Sequence, residues 1–207
     1  NHIARARWDE PSDSWSWASF GSGMAGGDYW PTFVMSLTVL PEGHLVAGGS
    51  FTTAGGVSAN RIAQWDGSSW APLGSGMNDL VEALTALPNG DLVAGGWFTT
   101  AGGSVVNFIA RWDGSSWSPL GSGMCGVTYP VVLALTVLPN GDLVAGGYFT
   151  TAGGVLANRI ARWDGSSWAS LGSGMNDQVN ALAVSPNGRW LASGGSDSRV
   201  RLWRWER

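Results

Sequence analysis

The sequence predicts an all-β chain assembled from one repeated unit of roughly fifty residues, and three observations predict it. The hexapeptide Trp65-Asp66-Gly67-Ser68-Ser69-Trp70 returns at Trp112 to Trp117 and at Trp163 to Trp168, at intervals of 47 and 51 residues. The tract Gly-Ser-Gly-Met ends at Met24, Met77, Met124 and Met175, and the tract Leu-Val-Ala-Gly-Gly ends at Gly49, Gly96 and Gly147, always in the same order. No stretch sustains the apolar period of a helix. The 32 glycines and 14 tryptophans suit tight turns and aromatic packing.

Each element of the unit follows from its residues. Val81 to Leu87 reads as a first strand, and Pro88-Asn89-Gly90-Asp91 carries the Asn-Gly chemistry of a hairpin turn. Asp91 to Trp97 is the second strand, and its Leu-Val-Ala run suits burial on both faces. Phe98 to Gly103 reads as a loop, Asn107 to Trp112 as a third strand, Asp113-Gly114 as a tight turn and Ser116 to Leu120 as a fourth strand. Four antiparallel strands per unit make the blade of a β-propeller. Residues 1–207 then form one propeller domain of about four blades: 24–76, 77–123, 124–174, and 175–207 closed by 11–23. The last unit offers strands at Val179 to Val184, Trp190 to Gly195 and Arg199 to Trp205 and lacks a fourth, which Trp15 to Gly21 would supply from the other terminus. Such a shared blade would hide two sheet edges. Ile3 to Trp8 also reads as a third strand, one more than the closing blade needs, so an open arc that closes as a dimer, or a piece of a longer array, stays an alternative.

Composition removes several functions. Net charge is −4, from 11 basic and 15 acidic residues, and the only basic group, Arg199, Arg201, Arg204 and Arg207, alternates with apolar residues as a solvated strand face does. No phosphate-neutralising stripe points to nucleic acid. Cys125 is the single cysteine, which excludes an intramolecular disulfide and a cysteine metal cluster. No apolar run nears the ~18 residues of a membrane-spanning helix. The chain reads as soluble. It begins at Asn1 without a methionine or signal-like segment, which reads as a processed form or an excised piece. The compartment is undecided, with an extracellular or cell-surface setting favoured.

The double glycines Gly48-Gly49, Gly95-Gly96 and Gly146-Gly147, the pairs Trp65-Asp66, Trp112-Asp113 and Trp163-Asp164, and the following Trp70, Trp117 and Trp168 together resemble the kelch repeat, with Trp where that family usually carries Tyr. Secreted bacterial repeats of Gly-Gly-x-Phe and Trp-Asp-Gly character are equally similar. The last unit differs: Val179 to Gly188, Leu191 to Asp197 and Val200 to Trp203 resemble a WD40 repeat. Both resemblances imply a propeller, and propellers mostly bind. Some kelch-type propellers are enzymes, such as the copper oxidase acting on galactose, whose site needs histidine, tyrosine and cysteine ligands. Only His2 and His44 are present here, and no Ser-His-Asp set or paired carboxylates can be traced, so neither an enzyme nor a cofactor is expected.

Asp66, Asp113 and Asp164 each precede Gly-Ser, where an Asp caps its own turn, so a structural role is expected for them. Six repeated tryptophans, each worth about 2 to 3 kcal/mol when buried, are expected to hold blade to blade. The residues that break the repeat are the binding candidates. Trp97 and Tyr148 follow the double glycine where other units have Ser50 and Ser196; Tyr29, Trp30 and Tyr129 lie in lengthened between-blade loops; Asp79 and Asp177 follow Met-Asn in two such loops. Both loop types should open on one face, bearing aromatics with Asn and Asp nearby. That face suits a protein partner or sugar rings. The leading expectation is a non-catalytic module that docks a protein. A multivalent lectin is the alternative, from a loose similarity to small fucose-binding propellers. A third reading is an engineered or excised repeat array with no selected ligand.

Overall fold

The computed structural model describes residues 4–9, 14–27 and 31–204, with side chains from Ser19 onward. It is all-β, with no helix among the described residues. Three four-stranded antiparallel sheets are the complete blades: Val34–Val39, Leu45–Gly49, Ile62–Trp65 and Trp70–Pro72; Val81–Ala86, Leu92–Gly96, Ile109–Trp112 and Trp117–Pro119; Val131–Val137, Leu143–Tyr148, Ile160–Trp163 and Trp168–Ser170. A last sheet has three strands, Val179–Val184, Trp190–Gly195 and Val200–Arg204. In every sheet, strands pair in sequence order, as hairpin connections require. First strands of successive blades pack side by side and form the inner row of the fold.

The same register defect occurs in all four first strands. A bulge falls between Val34 and Ser36, Val81 and Ala83, Val132 and Ala134, and Val179 and Ala181. One inserted residue returns Val81 and Leu84 to the same face, and there they reach the preceding blade. The double glycine makes that approach feasible. A Cβ on Gly95 would lie 2.4 Å from Val132 Cγ1, and one on Gly96 would lie 2.0 Å from the Leu80 carbonyl. A side chain at either place would separate neighbouring elements.

The tryptophans tie the outer strands together. Trp70, Trp117 and Trp168 are buried, and their indole N–H groups donate to the carbonyls of Phe20, Leu73 and Leu120 in the element before, at 3.1, 2.9 and 3.0 Å. Within each blade the second tryptophan also packs obliquely on the first, with ring centres 5.3 to 5.5 Å apart. Blade-to-blade contact therefore runs from the inner valines to these outer rings.

One expectation needs correction. The segment after the double glycine is a short ribbon, not an open loop: Thr100–Ala101 pairs with Ser104–Val105 around Gly102 and Gly103, whose φ values are +58° and +85°. Strands of two residues are too short to show any period in a sequence. Ser14–Ser19 pairs with Ala4–Asp9, in a two-stranded sheet of their own, and among the described residues Val200–Arg204 stays an edge strand. Ala4–Asp9 is the surplus third strand noted at the N-terminus.

Candidate functional site

The site is built where the second strand ends. The N–H of Trp97 donates to the carbonyl of Leu80 at 3.0 Å, which holds the residue after the double glycine beside the start of its own blade's first strand. In the first blade this place belongs to Ser50, which is buried; its hydroxyl accepts from the Phe33 N–H and donates to the Pro31 carbonyl, both at 2.7 Å. A tryptophan cannot fold inward there. Trp97 instead turns its indole N–H to Glu82 Oε1, at 3.0 Å, and stays half-buried. Burial raises the pKa of the Glu82 carboxyl, the Trp97 hydrogen bond opposes this, and the charge of Asp79 adds to it.

The between-blade loop is locked to the ribbon by one side chain. Asn78 Oδ1 accepts from the N–H groups of Thr99 and Thr100, each at 2.9 Å, and Asn78 Nδ2 donates to Thr99 Oγ1 at 3.0 Å. Both loop types thus meet on one face, as the repeat pattern predicts. Asp79 follows, its carboxylate accepting from the Leu80 N–H at 2.8 Å. Asp79, Leu80 and Trp97 of the second blade and Phe33 and Met35 of the first line a depression of about 360 Å³. Phe33 and Met35 are exposed.

The remaining predicted residues are placed differently. Tyr148 lies under the Arg159 guanidinium, whose carbon is 4.9 Å from the ring centre, so it packs on its own blade. Tyr129 is exposed, and Asp177 accepts from the Gln178 N–H at 2.8 Å. None of the three lines the depression. Tyr29 and Trp30 lie outside the described residues. Phe33, Met35 and Leu80 were not legible as site residues, because apolar residues at the start of a strand read as core, and Glu82 was not because its partner Trp97 is fifteen positions away. The available signal was the unbroken Phe33-Val34-Met35 run, which violates strand alternation at the bulge.

At the opposite ends of the strands the turn aspartates cap their own backbone. Asp66 Oδ1 accepts from the N–H groups of Ser68 and Ser69 at 2.7 and 2.8 Å, and Asp113 and Asp164 repeat the arrangement. These backbone donors, aided by serine hydroxyls, hold all three carboxyls well below the usual carboxylate range. A polar groove of about 300 Å³ lies near these turns between the second and third blades, and two of its lining charges are paired: Asp142 with Arg162 at 3.0 Å and Arg111 with Asp91 at 3.4 Å. No group of three or more metal-ligating side chains occurs among the described residues. The arrangement around Trp97 can accept a bulky apolar group, with a carboxylate at its rim for a polar or positive neighbour.

Comparison with known proteins divides the chain in two. The model of a β-propeller domain of unknown function, DUF5122, matches residues 40–64, 87–113 and 138–163, and the WD domain, G-beta repeat model matches residues 168–204. The ribosome biogenesis protein ERB1 of Ajellomyces capsulatus (strain NAm1 / WU24) is 50% identical over 38 residues, which cover 18% of this chain and 5% of that protein. The WD40 β-propeller domain of Doa1 superposes with a TM-score of 0.58 at 18% identity, over 85% of this chain and 52% of that one. A chain of the mitotic checkpoint complex superposes at 0.57 and 19%, over 85% and 50%. The extracellular domain of BT4673 from B. thetaiotaomicron superposes at 0.60 and 9%, over 100% and 25%. The chain thus spans about half or less of each of these proteins. The fold is a β-propeller, and its last blade is WD40-like.

Proposed function

We propose that this β-propeller chain is a non-catalytic binding module whose kelch-like blades present the depression around Trp97 to a protein partner. The observation that supports this most is the composition of the depression: Phe33, Met35, Leu80 and Trp97 around a single carboxylate, Asp79. Such a lining suits a peptide segment that inserts one bulky apolar side chain next to a basic one. The partner-binding role of WD40 propellers is consistent with it.

A multivalent lectin would need near-equivalent sites on successive blades. The position of Trp97 is Ser50 in the first blade, Tyr148 in the third and Ser196 in the last, and Tyr148 is engaged by Arg159. That inequality favours a single composite site. The test is a displayed-peptide selection on the folded chain, run beside a glycan array, each repeated with Trp97→Ala. Peptides carrying an aromatic or large aliphatic anchor should emerge and lose at least tenfold in affinity with the variant, roughly 1.4 kcal/mol or more, while its unfolding midpoint stays near wild type. Competable glycan binding without peptide enrichment would replace this reading with the lectin.

A further inference from the structure

The second blade carries a carboxylate where its neighbours are apolar, and a phenyl ring where its neighbours carry arginine. Each first strand has one bulged residue: Met35, Glu82, Leu133 and Asn180 in the four blades. Each third strand is entered through a left-handed corner, at Arg61, Phe108, Arg159 and Ser198, with φ between +59° and +66°. The N–H groups of Arg61, Phe108 and Arg159 donate to the carbonyls of Phe51, Phe98 and Phe149 at 2.8, 3.0 and 2.9 Å, so these three corners are equivalent. The third blade shows what such an arginine does. Its guanidinium carbon lies 4.9 Å from the centre of the Tyr148 ring, the aromatic residue that follows the double glycine. Trp97 is the counterpart of Tyr148, and with Phe108 at its corner the second blade offers no such cation. The strands around Glu82 offer none either. Val34–Val39, Leu45–Gly49, Leu92–Gly96 and Val131–Val137 pack against Val81–Ala86, and none of them holds a charged side chain. His44 and Asp91 stand at the opposite ends of these hairpins, and Asp79, in the loop just before Val81, is the charged neighbour that acts on Glu82.

On the reading of the depression as a protein-docking site, we infer that it takes an arginine side chain of the partner, with the guanidinium over the Trp97 ring and hydrogen-bonded to Glu82 and Asp79. A guanidinium is planar and always charged, so it stacks on an indole while its edge donates to carboxylates. A lysine ammonium is a compact point charge and lacks that planar contact. The indole N–H occupies one lone pair of Glu82 Oε1, and a carboxylate has about four such sites to offer. Phe33, Met35 and Leu80 line the same depression and suit the methylene stem of the arginine. Burial, and after it the like charge of Asp79, raise the Glu82 pKa against the Trp97 hydrogen bond. The arginine itself does not titrate over the working range. Binding therefore selects the ionised Glu82 and releases its proton, and affinity rises as pH rises through the raised Glu82 value.

Titration of the full chain with the blocked tripeptide acetyl-Leu-Arg-Leu-amide and its citrulline and lysine counterparts tests this, read from the indole N–H resonance of Trp97, which Trp97→Ala identifies by removing it. The arginine peptide should bind about tenfold or more tightly than either counterpart, and more tightly at neutral pH than in acid. Glu82→Gln keeps an acceptor for the indole N–H and should fold; it should lower the arginine affinity by about tenfold and flatten the pH profile. Phe108→Arg restores the corner of the neighbouring blades and should block the peptide by supplying the cation from within; if that variant does not fold, Glu82→Gln decides alone. No arginine preference, a pH profile that Glu82→Gln leaves unchanged, or a folded Phe108→Arg chain that binds as the wild type does would each overturn the inference. Displayed peptides that depend on Trp97 would then leave the docking site standing. If no peptide depends on Trp97, the docking site falls as well.

Discussion

At the scale of single residues, the chain uses its carboxylates in two opposite ways. Asp66, Asp113 and Asp164 are solvated and held by backbone donors, and their role follows from the Asp-Gly-Ser-Ser sequence because every partner lies within three residues. Glu82 owes its raised pKa to burial beside Trp97, fifteen positions away in sequence. Its sign is opposite to that of the turn aspartates. A carboxyl whose folded-state pKa exceeds its unfolded value, about 4.3 for Glu, supports folding most when protonated, so its contribution falls as pH rises through the raised value. Glu82→Gln should remove that decline, and denaturation midpoints compared from acid to neutral pH should show the wild-type chain losing stability relative to the variant. Parallel profiles would show that Glu82 is not desolvated. Neighbours of this kind, brought in by strand pairing, could not be read from the chain order.

At the scale of the element, the blade is legible because its signals are local: Asn-Gly turns, alternating strands and the Gly-Gly tract. What joins blades is less so. The indole N–H of Trp117 crosses to the Leu73 carbonyl while the ring fills the corner beside Gly102, whose added Cβ would lie 2.9 Å from Trp117 Cδ1. Trp117→Ala should therefore cost roughly 3 to 5 kcal/mol in equilibrium unfolding, from a large cavity between blades. Trp117→Phe should cost less, since part of the ring contact survives without the hydrogen bond. Equal losses would assign the whole effect to that bond. The short ribbons escape a sequence reading altogether, for they are held by pairing across a between-blade loop, as in the contact of Met77 with Ala101.

At the scale of the whole molecule, a row of blades behaves as a nearly one-dimensional array in which each unit is stabilised by its neighbours. The second and third blades are covered on both faces, the first and last on one. Amide hydrogen exchange should therefore be slowest in Leu92–Gly96 and Leu143–Tyr148 and faster in Val200–Arg204. Uniform protection would show that the end blades are held as firmly as the inner ones. The sequence by itself determined the repeat, the strands of each blade, the turn chemistry and the propeller fold, because these depend on residues close together in the chain. Only the tertiary structure decided that Ala4–Asp9 pairs with Ser14–Ser19, and that Phe33 and Met35 join Trp97 and Asp79 in one depression. Those outcomes are choices between partners of similar local propensity, and such choices depend on which surfaces the rest of the fold brings within reach.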